Sequence, residues 1–341
     1  MRKLLSALLC VFLAVSVSLG LSACGNKKDY ISVYTPDGAP ALALAKLMDE
    51  ENSFGGKTEY NVVDPSLIAG FVTGENPKAD LCVLPLNLAS KLLGSGEKYK
   101  MLGTVTHGNL YILKKQGGED ITPENMSILK GKVVGVIQLA NVPGLTFKAV
   151  LRGKGLEYSE LGNNNSPDET KVNLKAVSPE QVAPSEKTCD YYVVPEPAAS
   201  AKVNATKGAL SFAGSLQNLY GADGGYPQAV LAAKSSLIEN EPEFISRFIT
   251  AVSESGEWLL SENTSAERVV NAVQKHLTDG LNPSFTAKNL SKDVIKNCAV
   301  KFVDSKDCKN EVNAFLNELI AVNPSFASAV SDGFFYVGNQ S

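Results

Sequence analysis

The side chains able to do chemistry in this chain gather where apolar runs stop. Tyr34, Thr35, Asp37 and Gly38 sit at the end of the run that starts at Ile31. Asn87 follows the run 80–84, and His107 and Asn109 flank a glycine. Gln138, Asn141 and Thr146 follow the run 133–137, Glu196 follows 191–194, and Tyr226 comes after two glycines. In open α/β sheets, the residues just beyond strand carboxyl ends and the helix N-termini beside them share a crevice. Hydroxyls, amides and two carboxylates in such a crevice suit reversible hydrogen bonding to a small solute. Backbone N–H groups near 38–41 and 144–146 favour an acidic or strongly accepting group on it. Aromatic walls at Tyr34 and Tyr226 also admit a flat heterocycle.

Each of these residues has a purely structural alternative. Asp37 suits an Asx-turn before Gly38, and Asn141 suits a tight turn. Glu196 suits a helix cap, His107 a hinge held by a neighbouring carbonyl, and Trp258 core packing.

The chain's absences narrow the chemistry. It has two histidines, His107 and His276, so a site built from several imidazoles cannot be assembled and no metal is expected. There is no G-x-S-x-G elbow, no phosphate loop and no G-x-G-x-x-G after a strand. No catalytic residue and no cofactor are assigned, and the expectation is a protein that is not an enzyme. The formal net charge is −4 with no long basic run, which argues against nucleic acid as a partner.

The elements that must position these groups occur in duplicate. The pattern D-x-x-V-x-P-x-x-x-A-S appears at Asp80–Ser90 and again at Asp190–Ser200. Each copy reads as a buried strand, a proline where it stops, and a helix of small residues. A second pair accompanies it: strand 31–34 with Pro36–Pro40, and strand 133–137 with Ala140–Gly144. In both, proline falls where a helix begins. Strands alternating with helices predict parallel sheets with both faces covered. The reading is α/β: two lobes, each a mainly parallel sheet flanked by helices, with a cleft between them.

Helices are predicted at 39–50, 65–73, 86–93, 144–152, 265–277 and 311–322, with another starting at Pro242. Further strands are predicted at 58–63, 101–106, 110–113, 172–177, 210–213 and 228–233. Residues 161–170 read as a solvent loop. The strand 228–233 is expected back in the first lobe, making that lobe discontinuous: 30–108 with 222–341 form lobe 1, and 109–221 form lobe 2. The crossings fall at 107–109 and 214–226.

Residues 1–23 read as a targeting leader with Arg2 and Lys3 at its head, and 24–29 as a tether. Cys82 and Cys189 lie within apolar strands, where free cysteine acts as a small hydrophobe. Cys298 and Cys308 flank 300–307, read as a polar loop. They pair as a disulfide outside the cytosol or stay free; spacing does not decide between the two.

Leu21-Ser-Ala-Cys24-Gly resembles the lipobox of bacterial lipoproteins, which implies that Cys24 carries a palmitate-type lipid anchor. With Tyr34-Thr-Pro-Asp-Gly-Ala-Pro40, Leu84-Pro-Leu-Asn87, Thr106-His-Gly-Asn109, 138–146 and Val194-Pro-Glu-Pro197, the chain resembles solute-binding lipoproteins of ABC importers, type II periplasmic binding proteins. Within that class it is similar to the family binding sulfonates, nitrate, taurine and the thiamine pyrimidine precursor. The resemblance implies capture of a small organic solute, anionic, zwitterionic or heteroaromatic, by hinge closure. It implies delivery to a membrane permease with its ATPase, a monomer, and a place on the outer face of a bacterial cell membrane. Two alternatives stand beside it: an exported enzyme related to pyrimidine-precursor synthases, and a sensory lipoprotein of the same fold.

Overall fold

The computed structural model describes residues 30–338, apart from 52, 53, 56, 163, 164, 222 and 223. The leader and Cys24 lie outside the described residues.

Among the described residues, twelve strands divide between two six-stranded sheets. The first contains β1 (Ile31–Pro36), β2 (Thr58–Val63), β3 (Leu81–Pro85) and β4 (Tyr99–Thr106). The chain then supplies β5 (Leu110–Lys115), β6 (Val133–Ile137), β7 (Tyr158–Glu160), β8 (Val172–Val177), β9 (Tyr191–Pro195) and β10 (Leu210–Ser215) to the second. It returns to the first with β11 (Ala229–Lys234) and β12 (Val300–Asp304). The orders are β12-β4-β11-β3-β1-β2 and β10-β5-β9-β6-β8-β7.

The duplicated pattern has a matching topology. β3-β1-β2 in one sheet and β9-β6-β8 in the other are parallel triplets in the same order. The repeated aspartates do the same work in both. The Asp80 N–H donates to Ser32 O, and Asp80 Oδ2 accepts from Ser32 N, both at 2.9 Å. Asp190 exchanges the equivalent pair with Val133, both at 2.8 Å. Each aspartate therefore locks the start of the repeat strand to its neighbour, satisfying a backbone N–H at the strand start. Ala89 and Ala199, at the shared alanine position, are both completely buried.

Each sheet is mainly parallel, as expected, but mixed: four of six strands in the first and five of six in the second run the same way. β5 runs antiparallel to β9 and β10, and β11 runs antiparallel to β3 and β4. β12 adds a further antiparallel edge beside β4. The cause is the double crossing. β5 enters the second sheet from the first and β11 comes back, so each lies beside a repeat strand that arrived from the opposite direction.

Other elements differ locally from the sequence expectation. Residues 39–50 form two short helices, Ala39–Leu42 and Ala45–Asp49, rather than one. Residues 300–307 are not a polar loop but edge strand β12 followed by the start of the helix Ser305–Val322. Cys298 and Cys308 are free. The two thiols fall in different apolar clusters, Cys298 with Val33, Leu81 and Val105, and Cys308 with Cys82, Leu84 and Met101. Side chains alternate across a strand, so these clusters lie on opposite faces of the first sheet, and the sheet separates the thiols.

The C-terminal helix Ser305–Val322 connects the two halves. It packs on the helix Val142–Gly153 of the second half, and its Val312, Phe315, Leu316 and Leu319 are buried. They join an apolar cluster that includes Leu84 and Met101 from the first sheet and Ile112 and Val134 from the second.

Candidate functional site

A cavity of about 560 Å³ opens where the strand ends of the two sheets face one another. That volume falls in the range of small-molecule sites. Corresponding parts of the duplication meet on its wall: Pro85 with Pro195, and Pro40 with Pro143. Asp37 and Gly38 come from the end of β1, Gln138 from the end of β6, and Glu196 and Pro197 from the end of β9. The crossings supply Asn109 and Gln228.

Gly38 precedes the helix Ala39–Leu42 with φ +101°, a conformation open to glycine at little cost. The turn leaves Asp37 buried, with Oδ2 accepting from Ser284 N at 2.7 Å and Oδ1 without a partner. The loop carrying Ser284 is itself fastened: Asn289 Nδ2 donates to Ser284 O (2.9 Å) and Asn289 Oδ1 accepts from Thr286 N (2.6 Å). A buried acceptor left unpaired costs roughly 1–3 kcal/mol, and Asp37 Oδ1 is one such acceptor on a residue of the cavity wall.

Glu196 is also buried, and its peptide bond to Pro197 is cis. Oε1 accepts from Ser200 Oγ (2.6 Å) and Asn297 Nδ2 (2.8 Å), and Oε2 accepts from Ser200 N (3.0 Å). The carboxylate thus both caps the helix Ala198–Ala205 and faces the cleft. At the crossings, Gln228 Nε2 donates to Asn109 Oδ1 at 2.8 Å, while Gln228 Oε1 is buried and unpartnered. Asn109 Nδ2 turns to Glu196 O at 3.4 Å, and the Glu196 N–H donates to Asn109 O at 2.9 Å.

Of the residues named from sequence, Asp37, Gly38, Asn109, Gln138 and Glu196 line this cavity. The others sit elsewhere. Tyr34 stacks on Phe71 with ring centroids 4.3 Å apart, and Thr35 is fully buried with its hydroxyl turned to Pro36 O. Asn87 donates to Phe326 O (3.4 Å). Asn141 is exposed at the start of the helix Val142–Gly153, and Thr146 is buried inside that helix. His107 lies next to the crossing, with Nε2 2.9 Å from Thr104 Oγ1. Burial pushes its pKa down to about 4, and the nearby Lys301 ammonium adds to the shift. Tyr226 is wholly buried, stacked on Phe315 at 5.1 Å and edge-on to Tyr220 at 5.9 Å. It is an internal brace at the return crossing rather than an aromatic wall.

Sequence reading missed Gln228, Ser284 and Asn289 on the lining and Asn297 behind it. Gln228 sits two residues after Tyr226, at the head of a strand already expected there, so its position was within reach. Ser284, Asn289 and Asn297 come from a segment whose pattern signals only helices. Among the described residues no group of three or more His, Cys, Asp and Glu side chains is arranged to hold a metal ion, and no helix is long and apolar enough to cross a membrane.

No family model matches the chain, and no curated protein matches its sequence. Solved structures do match. An ABC transporter structure from Parabacteroides distasonis superposes with a TM-score of 0.68 at 18% identity, over 90% of this chain and 99% of that one. The periplasmic aliphatic sulphonate binding protein SsuA from Escherichia coli gives 0.61 at 14% identity, over 92% and 94%. The ligand binding component of an ABC-type import system from Staphylococcus aureus, with zinc bound, gives 0.56 at 14% identity, over 90% and 96%. The chain has the two-lobed α/β fold of these periplasmic binding proteins.

Proposed function

We propose that this chain captures a small organic solute in the cleft between its two halves and presents it to a membrane permease driven by an ATPase. Lobe 1 is then residues 30–108 with 222–341, lobe 2 is 109–221, and the chain works outside the cytoplasm, tied to the membrane by lipid on Cys24. The observation that carries the reading is the cavity itself. Its lining is drawn from equivalent strand ends of both sheets and from both crossings, so a solute seated there touches both halves at once. Binding that bridges two bodies favours the form in which they are closed, which a partner can recognise.

His107, the imidazole on which an enzyme reading would lean, is buried against Thr104 and lies off the cavity lining. That placement favours capture over turnover. The test is a thermal-shift screen of the protein against small solutes of all charge types. A binder raises the melting temperature by mass action, and small-angle scattering should show the molecule contracting with it. A protein that melts unchanged across such a screen, or whose hit is chemically converted on incubation, does not fit this role.

A further inference from the structure

The cavity lining is short of positive charge. Among its described lining residues, Asp37 and Glu196 are carboxylates and none is Lys, Arg or His. Two buried acceptors have no partner: Asp37 Oδ1 and Gln228 Oε1. The orientation of Gln228 follows from its neighbours. Its Nε2 meets Asn109 Oδ1, and Asn109 Nδ2 faces Glu196 O. Turning Gln228 alone would set two acceptors together at Asn109, and turning both amides would do so at Glu196.

The helix starts do not compensate. Pro40 and Pro143 occupy the first turns of the helices beginning at the cavity, and each deletes an N–H that an anion would use. A carboxylate or sulfonate placed here would meet two negative groups with no facing cation, in walls of low polarity that strengthen the repulsion.

We infer that the solute is a small organic cation presenting N–H donors, of amine, amidinium or guanidinium chemistry. This rests on the solute-capture reading and narrows it. The cation pairs with the Asp37 carboxylate and spends a second N–H on Gln228 Oε1, while Glu196 supplies the remaining negative charge. Asp37 comes from the first sheet and Glu196 from the second, so charge pairing pulls the halves together.

Isothermal titration calorimetry of the full-length protein with agmatine, benzamidine, methanesulfonate and glucose tests this. At least one cationic probe is expected to bind, with affinity falling as salt rises, and neither methanesulfonate nor glucose is expected to. Asp37→Asn and Glu196→Gln keep an acceptor for Ser284 and Ser200 and are each expected to weaken cation binding tenfold or more with unchanged circular dichroism. Binding of methanesulfonate or glucose without either cation overturns the charge assignment and leaves solute capture standing. Cation binding untouched by both variants overturns the roles given to these carboxylates. A protein that takes up none of the probes, and nothing in the wider solute screen, loses both readings.

Discussion

Asn297, just before β12 in the C-terminal part of the chain, donates from its side-chain amide to Glu196 Oε1 at 2.8 Å. Glu196 follows β9 of the second sheet, so this bond joins the two halves at the edge of the cavity. A second link reinforces it: Tyr111 of β5 donates its hydroxyl to Asn297 O at 3.1 Å. One residue thus receives and gives a bond across the cleft, and one of those bonds ends on a buried carboxylate.

Replacing Asn297 with alanine removes a bond to a charged group while Ser200 still holds Glu196. Hydrogen bonds of this kind contribute about 1.5–3 kcal/mol. Urea denaturation of Asn297→Ala should show a loss of that order, and small-angle scattering should show a larger radius of gyration from a looser pairing of the halves. A variant with unchanged scattering and unchanged stability would mean that the bond does not hold the halves together.

His107 makes stability depend on pH. Its pKa falls from 6.5 to about 4 on folding because burial disfavours the imidazolium. Above about pH 6.5 the ring is neutral in both states and costs nothing. As pH falls from 6.5 towards 4 the unfolded chain takes up a proton that the folded chain refuses, so stability drops, by roughly 3 kcal/mol in total. Below about 4 the loss levels off. His107→Gln cannot titrate and keeps a group for Thr104, so denaturation curves at pH 7 and pH 4.5 should lie closer together for it than for the wild type. Equal pH sensitivity in the two proteins would assign the effect to other groups.

Gly225 sits at the return crossing with φ +91°, and a Cβ there would collide with the carbonyl oxygen of His107 in the other crossing. Gly225→Ala therefore carries both backbone strain and a clash with backbone that cannot swing aside. It should destabilise the fold by more than about 1 kcal/mol, read as a lowered melting temperature. An alanine accepted without loss would mean that the crossings do not pack this closely.

The free thiols give a redox prediction. Cys298 and Cys308 are buried, and burial raises both thiol pKa values, that of Cys308 to about 11. Dithiothreitol should leave the melting temperature unchanged, and a thiol reagent should label neither residue until the protein unfolds. A fall in melting temperature on reduction would show that a covalent link exists after all.

Local signals carried most of the architecture. The duplicated Asp80–Ser90 and Asp190–Ser200 segments predicted two equivalent halves, and β3 and β9 fill equivalent places in parallel triplets of the same order. Alternation of apolar runs with helix starts placed most strands within a residue or two, because a strand buried on both faces needs an unbroken apolar run. The direction of the crossing strands was not legible. β5 and β11 have the same apolar composition whichever way they run, and only the path of the chain between halves decides.

The five sequence candidates that line the cavity, Asp37, Gly38, Asn109, Gln138 and Glu196, are polar groups or turn glycines at strand ends, and strand ends are visible in a sequence. Tyr34 and Tyr226 lie off the cavity lining; an aromatic at a strand end or between glycine and proline looks the same in sequence whether it walls a cleft or braces a core. Here Phe71 and Phe315, distant along the chain, claimed the two rings.

The sequence alone thus determined that the chain makes two like α/β halves, which segments form their strands, and where polar groups would emerge. Tertiary structure decided which of those groups share a cavity. It also left Asp37 Oδ1 and Gln228 Oε1 without partners and brought Ser284, Asn289 and Asn297 to that site from the far end of the chain. The physical reason is that apolar periodicity and turn chemistry act between near neighbours, whereas hydrogen-bond satisfaction depends on atoms that meet only after the chain has crossed between sheets twice.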